Sequence, residues 1–196
     1  ALYGETDFVA NIFSALSLVP GEASGVMQLG QTQYVGMNDF QNFKFFRDEN
    51  FSRAQLELVA ARISALNNCF YWTTWHTQLL RASGQANGSN FNLGGVVNND
   101  VDTEVEHADI LLAYADAIYA SDSGELERTR EQVHSRMGSG ATIEAAATAA
   151  NFSMLDRVAN AVGIQIESMA IEQTEDFRGK LGINQYVSAA NTLGNL

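Results

Sequence analysis

A chain of 196 residues is long enough to form one domain with a substantial hydrophobic core. Its 23 acidic and 11 basic residues give a formal net charge of -12, which repels phosphate backbones and anionic headgroups, so we expect no nucleic-acid partner and no membrane partner. Every apolar run is shorter than the roughly 20 residues that span a bilayer, so no membrane-spanning segment is predicted.

A single proline, Pro20, and the scarcity of strand-like alternation predict an all-α protein. We expect one helical domain over residues 1–178, followed by a C-terminal arm over 179–196 that is either frayed or wrapped on a neighbouring subunit. Apolar periodicity places the helices, in chain order, at about Thr6 to Leu18, Ala23 to Met37, Ser52 to Asn67, Cys69 to Ala82, Asp102 to Ala120, Glu125 to Met137, Thr142 to Val162 and Ile164 to Phe177.

Local signals mark several of these helix ends. Ser52-x-x-Gln55 and Thr103-x-x-Glu106 have the spacing of a capping box, in which two side chains satisfy the free amides at a helix start. Gly84 and Gly163 stand where a helix that ends in a left-handed turn favours glycine.

The helix that begins near Asn68 carries three candidate functional residues. Cys69, Trp72 and His76 share one face, since separations of three, four and seven return to the same side of a helix. Cys69 and His76 are two turns apart, about 10 Å along the axis, so a substrate or water must bridge them. Because Cys69 lies in the first turn, the helix dipole and free amides favour its thiolate.

Glu57, on the preceding predicted helix, stands in register with these residues. It is followed by eleven residues and then by Cys69-x-x-Trp72-x-x-x-His76, and residues 62–67 read Arg-Ile-Ser-Ala-Leu-Asn. This pattern resembles that of the alkylhydroperoxidase D-like proteins, the fold family shared with carboxymuconolactone decarboxylase, and in particular its peroxidase-related members.

The resemblance covers roughly residues 5–170. Outside the motif it includes Phe8 to Phe13 followed by Pro20, the helix from Ala108 to Ala120, and the helix from Asn151 to Gly163. It implies the alkylhydroperoxidase D-like helical fold and a homo-oligomer, with a trimer or hexamer expected and a dimer as the alternative.

By the same resemblance, Glu57, Cys69 and His76 are the candidate catalytic residues. The family's dithiol members cycle two cysteines between dithiol and disulfide, with the glutamate and histidine in a proton relay. Trp72 occupies the position of the second cysteine, and an indole cannot take part in that cycle. The resemblance therefore implies a degenerate site with a single thiol.

Each of these residues also has a structural interpretation. Cys69 can be an inert buried side chain, and His76 can be hydrogen-bonded at a helix surface or a subunit interface. Glu57 can form an ion pair with Arg53 or Arg62, at spacings of four and five.

Aromatic residues surround the motif. Trp72, Tyr71 and Trp75 would form a wall suited to a flat or apolar ligand, although aromatic residues at such spacing are also typical of a helix core. We interpret them as the substrate pocket.

The remaining histidines and the cysteine count predict no metal or cofactor. His107 and His134 form no His-x-x-x-His arrangement, and a single cysteine cannot build a cysteine-rich zinc site or an intrachain disulfide. A cytoplasmic location is the default for such a chain. Because residue 1 is alanine, a removed N-terminal leader is left open.

Three functions remain open from the sequence. The first is thiol-dependent reduction of peroxides, an antioxidant role in which an external thiol resolves oxidised Cys69. The second is a cofactor-free lyase or decarboxylase-type enzyme, in which Glu57 and His76 act as acid and base on a small acidic or enolisable substrate. The third is a non-catalytic protein that binds a small molecule or serves in assembly.

Overall fold

The computed structural model describes residues 9–194, apart from the side chain of Met37. This part of the chain is predominantly helical, which confirms the predicted all-α class. Its α-helices are α1 (Asn11–Leu16), α2 (Pro20–Gln33), α3 (Arg53–Leu66), α4 (Phe70–Ala86), α5 (Ala108–Ala120), α6 (Ser123–Val162), α7 (Ser168–Gln173), α8 (Glu175–Lys180) and α9 (Ala190–Leu193).

Short elements join these helices. β1 (Phe46–Asp48) and β2 (Phe51–Ser52) pair antiparallel, in a hairpin that leads into α3. The remaining turns of helix are of the 3-10 type, at Met37–Asp39, Leu93–Val96, Ile183–Gln185 and Val187–Ala189. No helix in the described range is long and apolar enough to cross a membrane.

Helix α3 is the centre of the fold and packs against α4, α5 and α6. The predicted capping box at its start is confirmed, because Gln55 Oε1 accepts from the Ser52 amide at 2.8 Å while Ser52 Oγ accepts from the Gln55 amide. Every residue from Arg53 to Ala65 is buried, so α3 has no solvent face. Its charged residues must therefore find partners inside the protein.

The two helices predicted over 125–137 and 142–162 are joined in α6, with a break at Gly138. This residue has φ 88° and ψ 174°, a conformation that only glycine adopts readily. The helix then ends at Gly163 in the left-handed region, as predicted. The break lets the two halves of α6 follow different directions over the core.

Several predicted helix bounds are wrong: α2 spans Pro20–Gln33 rather than Ala23 to Met37, and the helix expected over Ile164 to Phe177 is divided into α7 and α8. Two further errors have local causes. Helix α5 begins at Ala108 rather than near Asp102, because Asp102 and Thr103 each accept a backbone amide two residues ahead and so stabilise turns instead of a helix. Helix α4 continues past Gly84 to Ala86. A side chain at Gly84 would collide with the Phe91 ring, so glycine at this position lets the Phe91 ring pack closely against α4 and does not end the helix.

Residues 179–194, the described part of the predicted C-terminal arm, pack on the helices of the same chain. Ile183 and Ala189 are buried in the same apolar cluster as Phe70. Ser188 Oγ accepts from the Phe70 amide at 2.9 Å and donates to the carbonyl of Asn68 at 2.9 Å. These contacts fix the start of α4, which carries the candidate site.

Candidate functional site

Glu57 lies at the centre of a buried cluster of polar side chains. Its Oε1 accepts hydrogen bonds from Tyr34 Oη at 2.5 Å and from Arg53 Nε at 2.5 Å. Its Oε2 lies 2.7 Å from Nδ1 of His76. The Glu57 side chain is 0% exposed, so all three partners act in a water-excluded interior.

This cluster keeps Glu57 ionised. Burial raises the pKa of the Glu57 carboxyl. The Arg53 charge and the hydrogen bonds from His76 and Tyr34 together lower this pKa by more than burial raises it, so it lies below the ordinary value. Burial and the adjacent carboxylate hold the pKa of Tyr34 well above its ordinary value, so Tyr34 stays a donor.

Arg53 is itself anchored from the opposite side. Its Nη1 donates to the carbonyl of Phe40 at 3.0 Å, and its guanidinium lies over the rings of Phe40 and Phe43. The ion pair between Arg53 and Glu57 was predicted, as a structural role for Glu57, from their separation of four residues. It coexists with a contact between Glu57 and His76.

The carboxylate determines the tautomer of His76. Because an ionised carboxylate only accepts, Nδ1 of His76 carries a proton and donates to Glu57. His76 Nε2 is buried and has no hydrogen-bond partner among the described residues. In the neutral ring this nitrogen holds the free electron pair.

Aromatic rings hold the His76 imidazole on several sides. Trp72 stacks on it at 5.3 Å between ring centroids with 20° between the planes, and Phe152 meets it edge-on at 4.0 Å. Tyr34 forms a third, T-shaped contact at 5.4 Å. The imidazole therefore has a fixed orientation in an apolar surrounding.

A cavity of about 630 Å³ lies beside these rings, between α2, α4 and α6. His76 and the three predicted pocket residues, Trp72, Tyr71 and Trp75, all line it. The other lining residues are Ala10, Phe13, Val26, Met27, Gly30, Gln31, Tyr34, Val35, Asn38, Phe40, Gln41, Leu79, Asn151, Phe152 and Leu155. None of these described residues is Asp, Glu, Lys or Arg, and the volume suits a small organic ligand.

Glu167 positions two of the aromatic residues. Its carboxylate accepts from Tyr71 Oη at 2.8 Å and from Trp75 Nε1 at 2.6 Å. It also accepts from the backbone amide of Asn11 at 2.7 Å. Glu167 was not predicted from the sequence, because no local pattern connects it with α1 or α4.

Cys69 lies apart from the cavity. It is the N-cap residue of α4, is fully buried and is not among the residues that line the cavity. Burial and then the Asp156 carboxylate raise the pKa of the Cys69 thiol well above its usual value. The amides of Trp72 and Tyr71 lower this pKa, as a helix start should, but by less. The expectation of an activated thiolate is therefore wrong.

Asp156 on α6 is the buried partner of Cys69. Its Oδ2 accepts from the side-chain amide of Asn67 at 3.0 Å. Burial raises the pKa of Asp156 to about 7, far above the ordinary value of an aspartate. The sequence analysis did not single out this residue, whose partners lie 87 and 89 positions earlier in the chain.

The structure thus brings Glu57, His76 and the aromatic wall together and leaves Cys69 in a second buried cluster. Tyr34 and Asn151 are among the residues of the cavity wall that the sequence did not reveal. Within the described range, no group of three or more His, Cys, Asp or Glu side chains is arranged to hold a metal ion.

Comparisons of the chain with protein-family models, with curated proteins and with solved structures give no match. The resemblance to the alkylhydroperoxidase D-like proteins therefore rests on the motif residues themselves.

Proposed function

We propose that the protein is a cofactor-free acid/base enzyme that moves a proton on a small, enolisable carbonyl compound. His76 is the proposed catalytic residue, and Glu57 is its positioning partner. One observation carries the proposal: Nδ1 of His76 is held by Glu57 at 2.7 Å, while Nε2 is buried, has no hydrogen-bond partner within residues 9–194, and belongs to a residue that lines an apolar cavity.

The chemistry follows from this arrangement. Nε2 takes a proton from the carbon next to the carbonyl, and the electron pair of the broken C–H bond moves to the carbonyl oxygen to give an enolate. The resulting imidazolium is stabilised by the Glu57 carboxylate across a hydrogen bond in a water-excluded site. Return of the proton to carbon, or to another atom of the substrate, restores neutral His76.

Arg53 and Tyr34 support this step through Glu57. A carboxylate that is protonated cannot stabilise an imidazolium, and the lowered pKa of Glu57 keeps it ionised. The fold thus uses three buried side chains to hold one base in one tautomer. We also propose the alkylhydroperoxidase D-like fold and a homo-oligomeric state, which the motif resemblance supports.

Thiol-dependent peroxide reduction, the other function that the resemblance implies, stays a prediction. Its candidate thiol, Cys69, is buried outside the cavity wall and has a raised pKa. The acid/base function is favoured because its reacting group belongs to the cavity.

Hydrogen–deuterium exchange of a model ketone tests the proposal. β-Tetralone is flat, uncharged and enolisable, and NMR follows the loss of its α-protons in D2O. We expect the wild type to accelerate exchange over buffer and His76→Gln to lose about 10²–10⁴-fold of that acceleration. His134→Gln, which changes an exposed histidine, is the matched control.

Two results would contradict the acid/base function. One is a wild-type exchange rate equal to that of buffer. The other is a His76→Gln protein that exchanges as fast as the wild type.

A further inference from the structure

Asn151 is a buried amide without partners in the wall of the cavity. It lies on α6, directly before Phe152, whose ring contacts His76 at 4.0 Å between centroids. The residue is 1% exposed, yet neither its Nδ2 nor its Oδ1 has a hydrogen-bond partner among the described residues. Buried amides are rarely left unpaired, and an unmatched one in a pocket points to a bound polar group.

A second donor in the same wall is also unpaired. Nε1 of Trp72 is buried and has no partner among the described residues. Trp72 stacks on His76, and Phe152 contacts both rings. Thus two N–H donors belong to residues of the cavity wall: Trp72, which stacks on the proposed base, and Asn151, which directly precedes Phe152 on α6.

The charges around the cavity exclude one class of ligand. The described lining residues include no Lys or Arg to pair with an anion. Glu57 lies 2.7 Å from Nδ1 of His76, and its charge is paired with that of Arg53, so this buried cluster has no net positive charge to offer an anion in the cavity. A carboxylate that entered would lose its hydration without a cation to replace it.

From these observations we infer that Asn151 determines substrate specificity by donating from Nδ2 to the oxygen of an uncharged carbonyl ligand, with Trp72 Nε1 as a second donor. The substrate class is a neutral, largely apolar ketone, aldehyde or ester, and acidic substrates are rejected. This inference rests on the proposed acid/base function for the identity of the reacting group. It extends that function by assigning the ligand's charge and the residue that recognises it.

Binding of three matched probes tests the inference without any turnover. β-Tetralone carries the carbonyl, tetralin has the same rings without oxygen, and β-tetralincarboxylate carries a charge. Both tryptophans of the chain, Trp72 and Trp75, line the cavity, so quenching of their fluorescence reports occupancy. We expect the wild type to bind β-tetralone at least about 10-fold more tightly than either other probe, as one satisfied hydrogen bond allows.

Asn151→Leu removes the amide at similar volume, and we expect it to bring the affinities for β-tetralone and tetralin within about twofold of each other. Asn90→Leu, the same change at an exposed position outside the cavity, should keep the wild-type preference. Thermal unfolding verifies that each variant is folded, and Asn151→Ser replaces Asn151→Leu if the latter is not. The comparison of the three probes on the wild type tests the inference independently of whether any variant folds.

The inference is overturned if the wild type binds tetralin or the carboxylate as tightly as the ketone, if no probe binds at millimolar concentration, or if the preference survives loss of the Asn151 amide. A failure of deuterium exchange with an intact binding preference would refute the proton-transfer function alone. Exchange without a binding preference would refute only the role of Asn151.

Discussion

Glu57 and Asp156 are two buried carboxyl groups of one core, and the fold shifts their pKa values in opposite directions. Each is 0% exposed. Glu57 contacts the Arg53 guanidinium and has a lowered pKa, whereas Asp156 contacts the uncharged amide of Asn67 and has a pKa raised to about 7. Burial acts in the same direction on both, so the charge of the partner decides the outcome.

This difference separates two positions of α4, its N-cap residue Cys69 and His76. At His76 an ionised carboxylate holds the imidazole beside a cavity, while at Cys69 burial and then the Asp156 carboxylate raise the pKa of a thiol that is away from the cavity. The motif residues are therefore divided between a site suited to proton transfer and a structural cluster.

Removal of the cation should have the largest effect on stability. Arg53→Met leaves the Glu57 carboxylate buried without its charged partner, and we expect a loss of about 3–5 kcal/mol in the free energy of unfolding at pH 7. The loss should shrink toward pH 4, because protonated Glu57 needs no cation. Denaturant unfolding at both pH values measures it.

Arg47→Met, at a partly exposed ion pair with Glu144, is the control and should lose about 1 kcal/mol or less. Similar losses for the two variants would mean that the charge of Arg53 has no special role at Glu57.

Asp156→Asn should remove a pH dependence of stability. The pKa of Asp156 in the folded protein, about 7, exceeds the ordinary value of 3.8, so the folded state binds the proton more tightly than the unfolded chain does. This stabilisation is complete below the unfolded value and is lost as the pH rises through about 7.

Each pKa unit is worth about 1.4 kcal/mol, so the wild type should lose up to about 4 kcal/mol from this group between pH 4 and pH 8. Asp156→Asn keeps an oxygen for the Asn67 amide and should be more stable than the wild type at pH 8. Unfolding free energies across that range test this, with exposed Asp109→Asn as the control. If the unfolding free energies of the wild type, Asp156→Asn and Asp109→Asn change with pH in parallel, the raised pKa of Asp156 is excluded.

The protection of Cys69 from alkylation should be the smallest of these effects when it is expressed as a free energy. Because the thiol is buried and its pKa is raised, iodoacetamide should modify the native protein at least about 10-fold more slowly than the denatured chain at pH 8. Mass spectrometry over time measures both rates. Fast native modification with an apparent pKa below the usual value of about 8.5 would restore the thiol as a candidate nucleophile.

Local patterns in the sequence predicted much of the helical framework. The capping box at Ser52, the break near Gly138 and the end at Gly163 depend on neighbours a few residues apart, and all three were found. The helix start expected near Asp102 was not found, because the side chains of Asp102 and Thr103 accept backbone amides in turns instead of capping a helix.

The candidate site was only partly predictable, because part of it depends on contacts between residues that are far apart in the sequence. His76 and the aromatic wall follow from spacing on one helix. Tyr34, Asn151 and Glu167 reach the site from other elements, and their contacts depend on tertiary packing that no short motif encodes. The pKa of Cys69 was misjudged because the helix start was visible in the sequence and Asp156 was not.

The Glu167 carboxylate also has a consequence for the order of folding. Its bond to the Asn11 amide spans 156 residues, whereas Arg53 and Glu57 are four apart. Contacts of such high sequence separation carry the largest loop-closure entropy and tend to form late. We therefore expect the Arg53–Glu57 pair, which holds the proposed base, to form while the aromatic wall is still loose, so that the proposed proton-transfer group is in place before the cavity has its final shape.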